Sequence, residues 1–254
     1  MERYVRTESA DTINDFLYFM EDRYAGGRTE REGNVIWALA ELTEGGRVLD
    51  LACGWGRISR YLTDRGADVV GVDINETMLE AARRNAPKAT FVAADMRELP
   101  DLGTFDAVII WWSSFGFFDD GTDQLILRKL RENLRPGGKL LVEHANAAQF
   151  FIEAAANPKG KTTAQRIGDD VMVDTRRLSD DGRRVVGNRQ ICRNSRVNDM
   201  PYDMRLFSGS EIEYWLAQAG YTDVAVLDRG GDPLTWQSYG FVASGTAPAG
   251  DISS

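Results

Sequence analysis

The sequence is poor in the residues that build metal centres and cross-links. Its 254 residues contain two cysteines, Cys53 and Cys192, and one histidine, His144, too few for a disulfide framework or a four-thiolate zinc site. No metal is therefore expected. Positive charge is also scarce: 30 Lys and Arg against 39 Asp and Glu give a formal net charge of -9. The cationic surface that drives nonspecific phosphate binding is missing, so nucleic acid is not an expected partner. No apolar run approaches the roughly 20 residues that span a bilayer, and the opening MERYVRTESADTIND has no apolar core of a signal segment. Neither membrane insertion nor export is expected, which predicts a soluble, reducing, cytoplasmic setting. What is present in quantity is core-forming sequence, since 43% of the residues are hydrophobic, enough for one large α/β domain.

The apolar spacing predicts alternating helices and strands. Ile13, Phe16, Leu17, Met20 and Tyr24 recur at helical spacing, as do Val35, Leu39 and Leu42 after Ala25-Gly26-Gly27, so residues 1–44 read as a helical cap. Thr29 with Glu32 has the form of a capping box at the start of the second helix. Residues 45–146 then alternate strands at 47–51, 68–72, 90–93, 105–110 and 138–144 with helical stretches such as 76–85 and 124–134. That rhythm predicts a Rossmann-like, doubly wound, mostly parallel sheet covered on both faces. Within 161–207 the pattern changes: VMVDTRRL, the turn signal Asp180-Asp181-Gly182, RRVVGNRQICR and YDMRLF predict an antiparallel β insertion. Residues 208–245 return to a helix, with Ser208 and Glu211 as a second capping box, and two closing strands near 222–227 and 236–244. The tail 246–254 is expected to be disordered. Together, 1–245 read as one domain.

Chemistry enters at Ala52-Cys53-Gly54-Trp55-Gly56, between the first strand and its helix. Glycines there let backbone N–H groups approach a carboxylate-bearing or anionic ligand, although the same pair also serves plain tight turns. Asp50, Asp73 and Asp95 end three successive strands and point to one crevice, with Asp73 placed to accept hydrogen bonds from ribose hydroxyls. A nicotinamide dinucleotide is the competing ligand, but Arg57, Ile58 and Ser59 after Gly56 break the G-x-G-x-x-G spacing.

VLDLACGWGR (48–57), GVDIN (71–75), AADMRELP (93–100), FDAVII (105–110) and LRPGGKLLVE (134–143) resemble, in order, the motifs of class I S-adenosylmethionine-dependent methyltransferases. The 204–231 stretch resembles the small-molecule, natural-product members. The resemblance implies an antiparallel final strand, and S-adenosyl-L-methionine as cofactor. It places Gly54 and Gly56 along the methionine part, Asp73 at the ribose and Asp95 with Met96 at the adenine. Asp50, Ala52, Ile74 and Trp111 complete the implied cofactor set. Ala52 stands where the family usually has a third glycine, and alanine fits there if its φ is negative.

Methyl transfer needs alignment, exclusion of water and, for a protonated acceptor, a base. The acceptor side is expected over the ends of the fourth and fifth strands. Trp112 and Phe115 are read equally as an apolar substrate wall and as core, whereas Trp111, Phe117 and Phe118 read better as core. His144 is a candidate general base, with an orienting or packed ring as the alternative. Glu143 lies on the opposite face of the same strand, and the resemblance implies for an acidic residue there a role in holding an amine or making a backbone contact. Tyr18, Tyr24, Tyr202 and Arg205 are candidate lid contacts. Asp119-Asp120 read as caps of a helix N-terminus rather than magnesium ligands. The expected activity is methyl transfer to nitrogen or oxygen of a small molecule, with a carbon acceptor or a noncatalytic cofactor-binding scaffold as alternatives. The insertion is compatible with a lid, a homo-oligomer surface or both.

Overall fold

The structure, a computed structural model, describes residues 8–249. Its main sheet is built from β1 (Arg47–Leu51), β2 (Asp68–Asp73), β3 (Thr90–Ala93), β4 (Phe105–Ile110), β5 (Leu134–Ala145), β10 (Thr222–Asp228) and β11 (Gly240–Thr246), in the order β10-β11-β5-β4-β1-β2-β3. β11 pairs antiparallel with both of its neighbours, and the pairs from β3 to β5 are parallel. Near-continuous apolar strands such as FDAVII need cover on both faces. On one face α5 (Asp120–Glu132) and α7 (Gly209–Gln218) bury Ile126, Leu127, Leu130, Ile212, Trp215 and Leu216. On the other, α2 (Arg28–Leu39) and α3 (Arg57–Asp64) bury Ile36, Ile58 and Leu62. α4 (Glu76–Asn85) links β2 to β3. The carboxyl ends of β1 to β5 consequently share one edge, where α/β sheets place their sites.

A second, four-stranded antiparallel sheet, β6 (Lys161–Ile167), β7 (Asp170–Leu178), β8 (Arg184–Arg193) and β9 (Arg196–Arg205), roofs that edge together with α1 (Ala10–Tyr24). The two are tied at Asp15. Its carboxylate, 1% exposed on α1, accepts hydrogen bonds from Arg193 (2.9 Å), Arg196 (3.1 Å) and Asn198 (3.2 Å). Around it Ile13, Phe16, Phe19 and Met20 pack against Met172, Ile191 and Met200. A buried carboxylate is tolerated because three donors replace water. The β7–β8 turn forms at the Asp-Asp-Gly signal, where Asp181 accepts from Ser179 Oγ and the Arg183 N–H.

Four expectations change. Thr29 does not cap α2: Gly27, in the left-handed region at φ 80°, starts that helix without a side-chain cap. Thr29 instead accepts from Arg57, and Glu32 pairs with Arg28 and Arg57. At α7 only half of the box forms, since Ser208 accepts the Glu211 N–H (3.2 Å) while the Glu211 carboxylate turns to Arg205. The helix α6 (Ala147–Ala156), capped by Asn146, was not anticipated. Finally, Thr246 lies in β11 and Ala247 is buried and hydrogen-bonded to Gly137 and Gly138; residues 250–254 of the expected tail lie outside the described residues, as do 1–7 of the helical cap.

Candidate active site

The strand ends meet at a cavity of about 370 Å³, within the range of small-ligand sites. Asp50, at the end of β1, is buried and accepts a 2.6 Å hydrogen bond from Ser59 Oγ on α3; burial pushes its pKa up to about 6. The chain then turns sharply. Ala52 sits at φ 58°, in the left-handed region that costs an L-residue roughly 1–2 kcal/mol. The condition of a negative φ at this position is therefore not met: alanine is accommodated at a strained angle, and its motif glycine would have relieved it. Gly54 follows at φ 54°, and a Cβ added there meets no protein atom within 4 Å. Because Gly54 lines the cavity, that Cβ would project into ligand space. Gly56 does a different job: it is the cap residue of α3 at φ 72°, and a Cβ would press on Ala82 (3.0 Å) and Phe91 (3.1 Å). It packs loop against helix and does not line the cavity.

Asp73, at the end of β2, accepts from the Gly54 N–H and the Asn75 N–H, both at 2.9 Å. The glycine loop and the carboxylate are thereby fixed to each other. Ile74, Met96, Trp111 and Asp95 continue the same wall. Asp95 is gripped by Arg97, whose Nε lies 3.0 Å from each carboxylate oxygen, and this ion-paired hydrogen bonding holds its pKa below the usual value. Of the nine residues implied for the cofactor, eight line the cavity and Gly56 lies just behind it.

Trp55 and Trp112 continue the lining, whereas Tyr24, expected as a lid contact, packs against these two rings and does not itself line the cavity. Tyr24, Trp55 and Trp112 meet edge to face, with centroids 5.8–6.3 Å apart. Arg28 and Arg57 lie 4.6 and 4.1 Å from the Tyr24 ring centroid. The Tyr24 hydroxyl is buried with no hydrogen-bond partner among the described residues, and burial raises its pKa to about 12. Trp112 and Ser113 are consecutive left-handed residues at φ 59° and 53°. For a bulky residue this is a true outlier, held only because neighbours enforce it. Glu143 does so: its carboxylate accepts the Ser113 N–H at 3.0 Å and pairs with Arg229. The Ala145 N–H in turn donates to Ser113 Oγ at 3.1 Å.

The catalytic candidates are corrected by this geometry. Glu143 is buried, does not line the cavity, and braces the 112–113 backbone. His144 points to the opposite side of β5. Its ring is fully buried against Phe207 and Phe241, with Nδ1 3.0 Å from the Ala145 carbonyl and Nε2 3.1 Å from the Phe115 carbonyl. Burial lowers its pKa to about 4. His144 does not line the cavity. Phe115 is likewise core, stacked on Phe207. Phe117 and Phe118, read as core, line the cavity, as do Trp112 and Tyr202. Tyr18 packs on Phe19 under Arg193, away from the cavity. Arg205 is buried between Asp120 and Glu211, and Asp119 caps α5 by accepting from Thr122. Neither Arg205 nor Asp119 lines the cavity.

The sequence reading missed the polar roof. Arg23 from α1, Asp174 and Arg176 from β7, Arg189 from β8 and Arg229 after β10 all line the cavity. The signal was period 2: 174 and 176, 185 and 189, and 202 and 204 project to one face of the insertion. Tyr202 donates to Asp174 at 2.8 Å, and Arg189 Nε donates to the other oxygen of Asp174 at 3.0 Å. Gly187 leaves the space that the Tyr202 ring fills.

Comparison with known proteins agrees with this architecture. Residues 48–138 match the family described as a methyltransferase domain. A demethylmenaquinone methyltransferase of Renibacterium salmoninarum is 36% identical over 141 residues, covering 55% of each chain. A dTDP-3-amino-3,4,6-trideoxy-alpha-D-glucopyranose N,N-dimethyltransferase of Streptomyces venezuelae is 35% identical over 102 residues, 39% of this chain and 43% of that one. The chain spans about half the length of the curated relatives it matches. The CcbJ methyltransferase of Streptomyces caelestis superimposes over 95% of this chain and 100% of its own with a TM-score of 0.78 at 20% identity, so its fold, insertion included, is shared.

Proposed function

We propose that the chain is an S-adenosylmethionine-dependent methyltransferase whose acceptor is a nitrogen of a small molecule, a specialised metabolite. The observation that carries the cofactor assignment is the Gly54 N–H bound to Asp73 at the cavity wall, with open space where a Gly54 side chain would stand. That is a cradle for a ligand that must approach backbone closely and present hydroxyls to a carboxylate. Gly54, Asp73 and Asp95 would hold it, with Ile74, Met96 and Trp111 against its apolar surfaces. When bound, S-adenosylmethionine supplies a methyl group activated on a sulfonium sulfur.

The chain's own residues position and enclose. Trp55, Trp112 and Phe16 narrow the middle of the cavity and exclude water, while Ser113, fixed by Glu143 and the Ala145 N–H, sets the edge against which the acceptor rests. Orientation of this kind supplies much of the acceleration of a displacement. Nitrogen is favoured over oxygen by what the acceptor half lacks among the described residues, a disengaged base. Asp174 is occupied by Tyr202 and Arg189, Glu143 by Ser113 and Arg229, and His144 faces the core. A neutral amine can attack first and release its proton afterwards, whereas a hydroxyl needs its proton removed during attack. The test is a mass-shift screen of matched amine and alcohol acceptors with S-adenosylmethionine. Methylation of amines alone supports the reading; methylation of alcohols alone overturns the nitrogen assignment.

A further inference from the structure

The roof of the cavity carries more positive charge than its own carboxylates balance. Asp174 is shared by Arg189 and the Tyr202 hydroxyl. Beside it, Arg176 makes a two-point ion pair with Glu153, with Nε and a terminal nitrogen each at 2.8 Å, and Lys161 shares the same carboxylate at 2.8 Å. Arg23, at the mouth of the cavity, has no carboxylate partner among the described residues; its Nε donates only to the neutral Gln165 side chain at 3.3 Å. The terminal nitrogens of Arg23 and Arg189 find no acceptor among the described residues. Both guanidiniums line the same cavity, so their unused terminal nitrogens are available to an anionic group that enters it.

We infer that the acceptor carries an anionic group, a carboxylate or a phosphoryl group, which docks against Arg23 and Arg189 and so aims the nucleophile toward Trp112 and Ser113. Guanidinium forks suit planar and tetrahedral oxyanions alike. The inference rests on the proposed methyltransferase reading for the acceptor's role, but the anion site itself is testable without it. Arg176 is a neighbour already committed to Glu153, and Asp174, which also lines the cavity, has one oxygen bound by Tyr202 and the other by Arg189.

Calorimetric titration of the full chain, saturated with S-adenosylhomocysteine, with inorganic pyrophosphate and separately with benzoate provides the test. Binding of either probe that weakens about tenfold or more in Arg23→Gln and in Arg189→Gln is expected, as for loss of a charged hydrogen bond. Preference for pyrophosphate assigns a phosphorylated acceptor, and preference for benzoate a carboxylated one. Arg189→Gln leaves Asp174 short of a partner; if that variant fails to fold, the exposed Arg23→Gln carries the test alone. No binding of either anion, or equal binding in wild type and variants, overturns the inference. The S-adenosylhomocysteine titration is read separately: its failure with anion binding intact sinks the cofactor reading and leaves the anion site standing.

Discussion

Asp123 lies in the first turn of α5, directly after the loop of residues 111–118, most of which line the cavity. It is 0% exposed, and no side chain among the described residues hydrogen-bonds to its carboxylate. Burial pushes its pKa up to about 7 from 3.8, with the Arg184 guanidinium and the Phe118 backbone N–H opposing the shift. The folded form therefore holds a proton that the unfolded chain releases near pH 4. Below that pH both states are protonated and the residue costs nothing. Between pH 4 and 7 the unfolded state gains by ionising first, and above 7 the full penalty applies, roughly 4 kcal/mol at 1.36 kcal/mol per unit. Asp123→Asn keeps the shape and removes the ionisation. Its stability relative to wild type should be near a constant offset at pH 4 and should rise across pH 4 to 7 to a plateau. Urea denaturation of both proteins at pH 4.5, 6 and 8 reads this directly, because the other carboxylates cancel in the difference. A stability difference that does not change over that range would refute the claim that burial keeps Asp123 protonated in the folded state.

Other consequences follow from the site. Asp73→Ala should weaken S-adenosylmethionine binding by about tenfold or more, the loss expected for hydrogen bonds to a charged group, with the far-ultraviolet circular dichroism spectrum unchanged; unaltered affinity would remove the ribose assignment. His144→Gln should lower the melting temperature yet leave the pH dependence of the methylation rate between pH 6 and 9 as in wild type, because the ring is buried and already neutral there; an inflection that disappears in the variant would restore it as a base. Ala52→Gly should stabilise by up to about 1 kcal/mol, relief of left-handed strain exceeding the added chain entropy of glycine, and Ala52→Val should destabilise; urea midpoints with the reverse order would mean that the turn at residue 52 is misassigned.

Much of the sheet was legible because its strands are short apolar runs that end in chemistry. Asp50, Asp73 and Asp95 could be aligned at one edge from strand-end position alone, and five motifs in family order supplied the ligand. What failed to show was whatever depends on which way a side chain leaves a strand after it passes the sheet edge. His144 and Glu143 are adjacent, and pleating sends one to Phe207 and the other to Ser113; no pattern in the sequence says which face holds the cavity. Glu32 and Glu211 look like capping residues, but nearby arginines outcompete backbone N–H groups for them. The helix α6 is Ala-rich and almost uncharged, so its amphipathic signal is weak. The arginine roof was hidden because Arg23 and Arg189 come from different elements and line one cavity only when the insertion docks on α1, where Asp15 holds Arg193.

The most direct test is calorimetric titration of the purified chain with S-adenosylmethionine and S-adenosylhomocysteine, with NADH as the comparison ligand. Micromolar binding of the first two and none of NADH is the predicted result. Absence of binding by either, or binding of NADH in their place, would contradict the assignment of the Gly54–Asp73 cradle and every role derived from it.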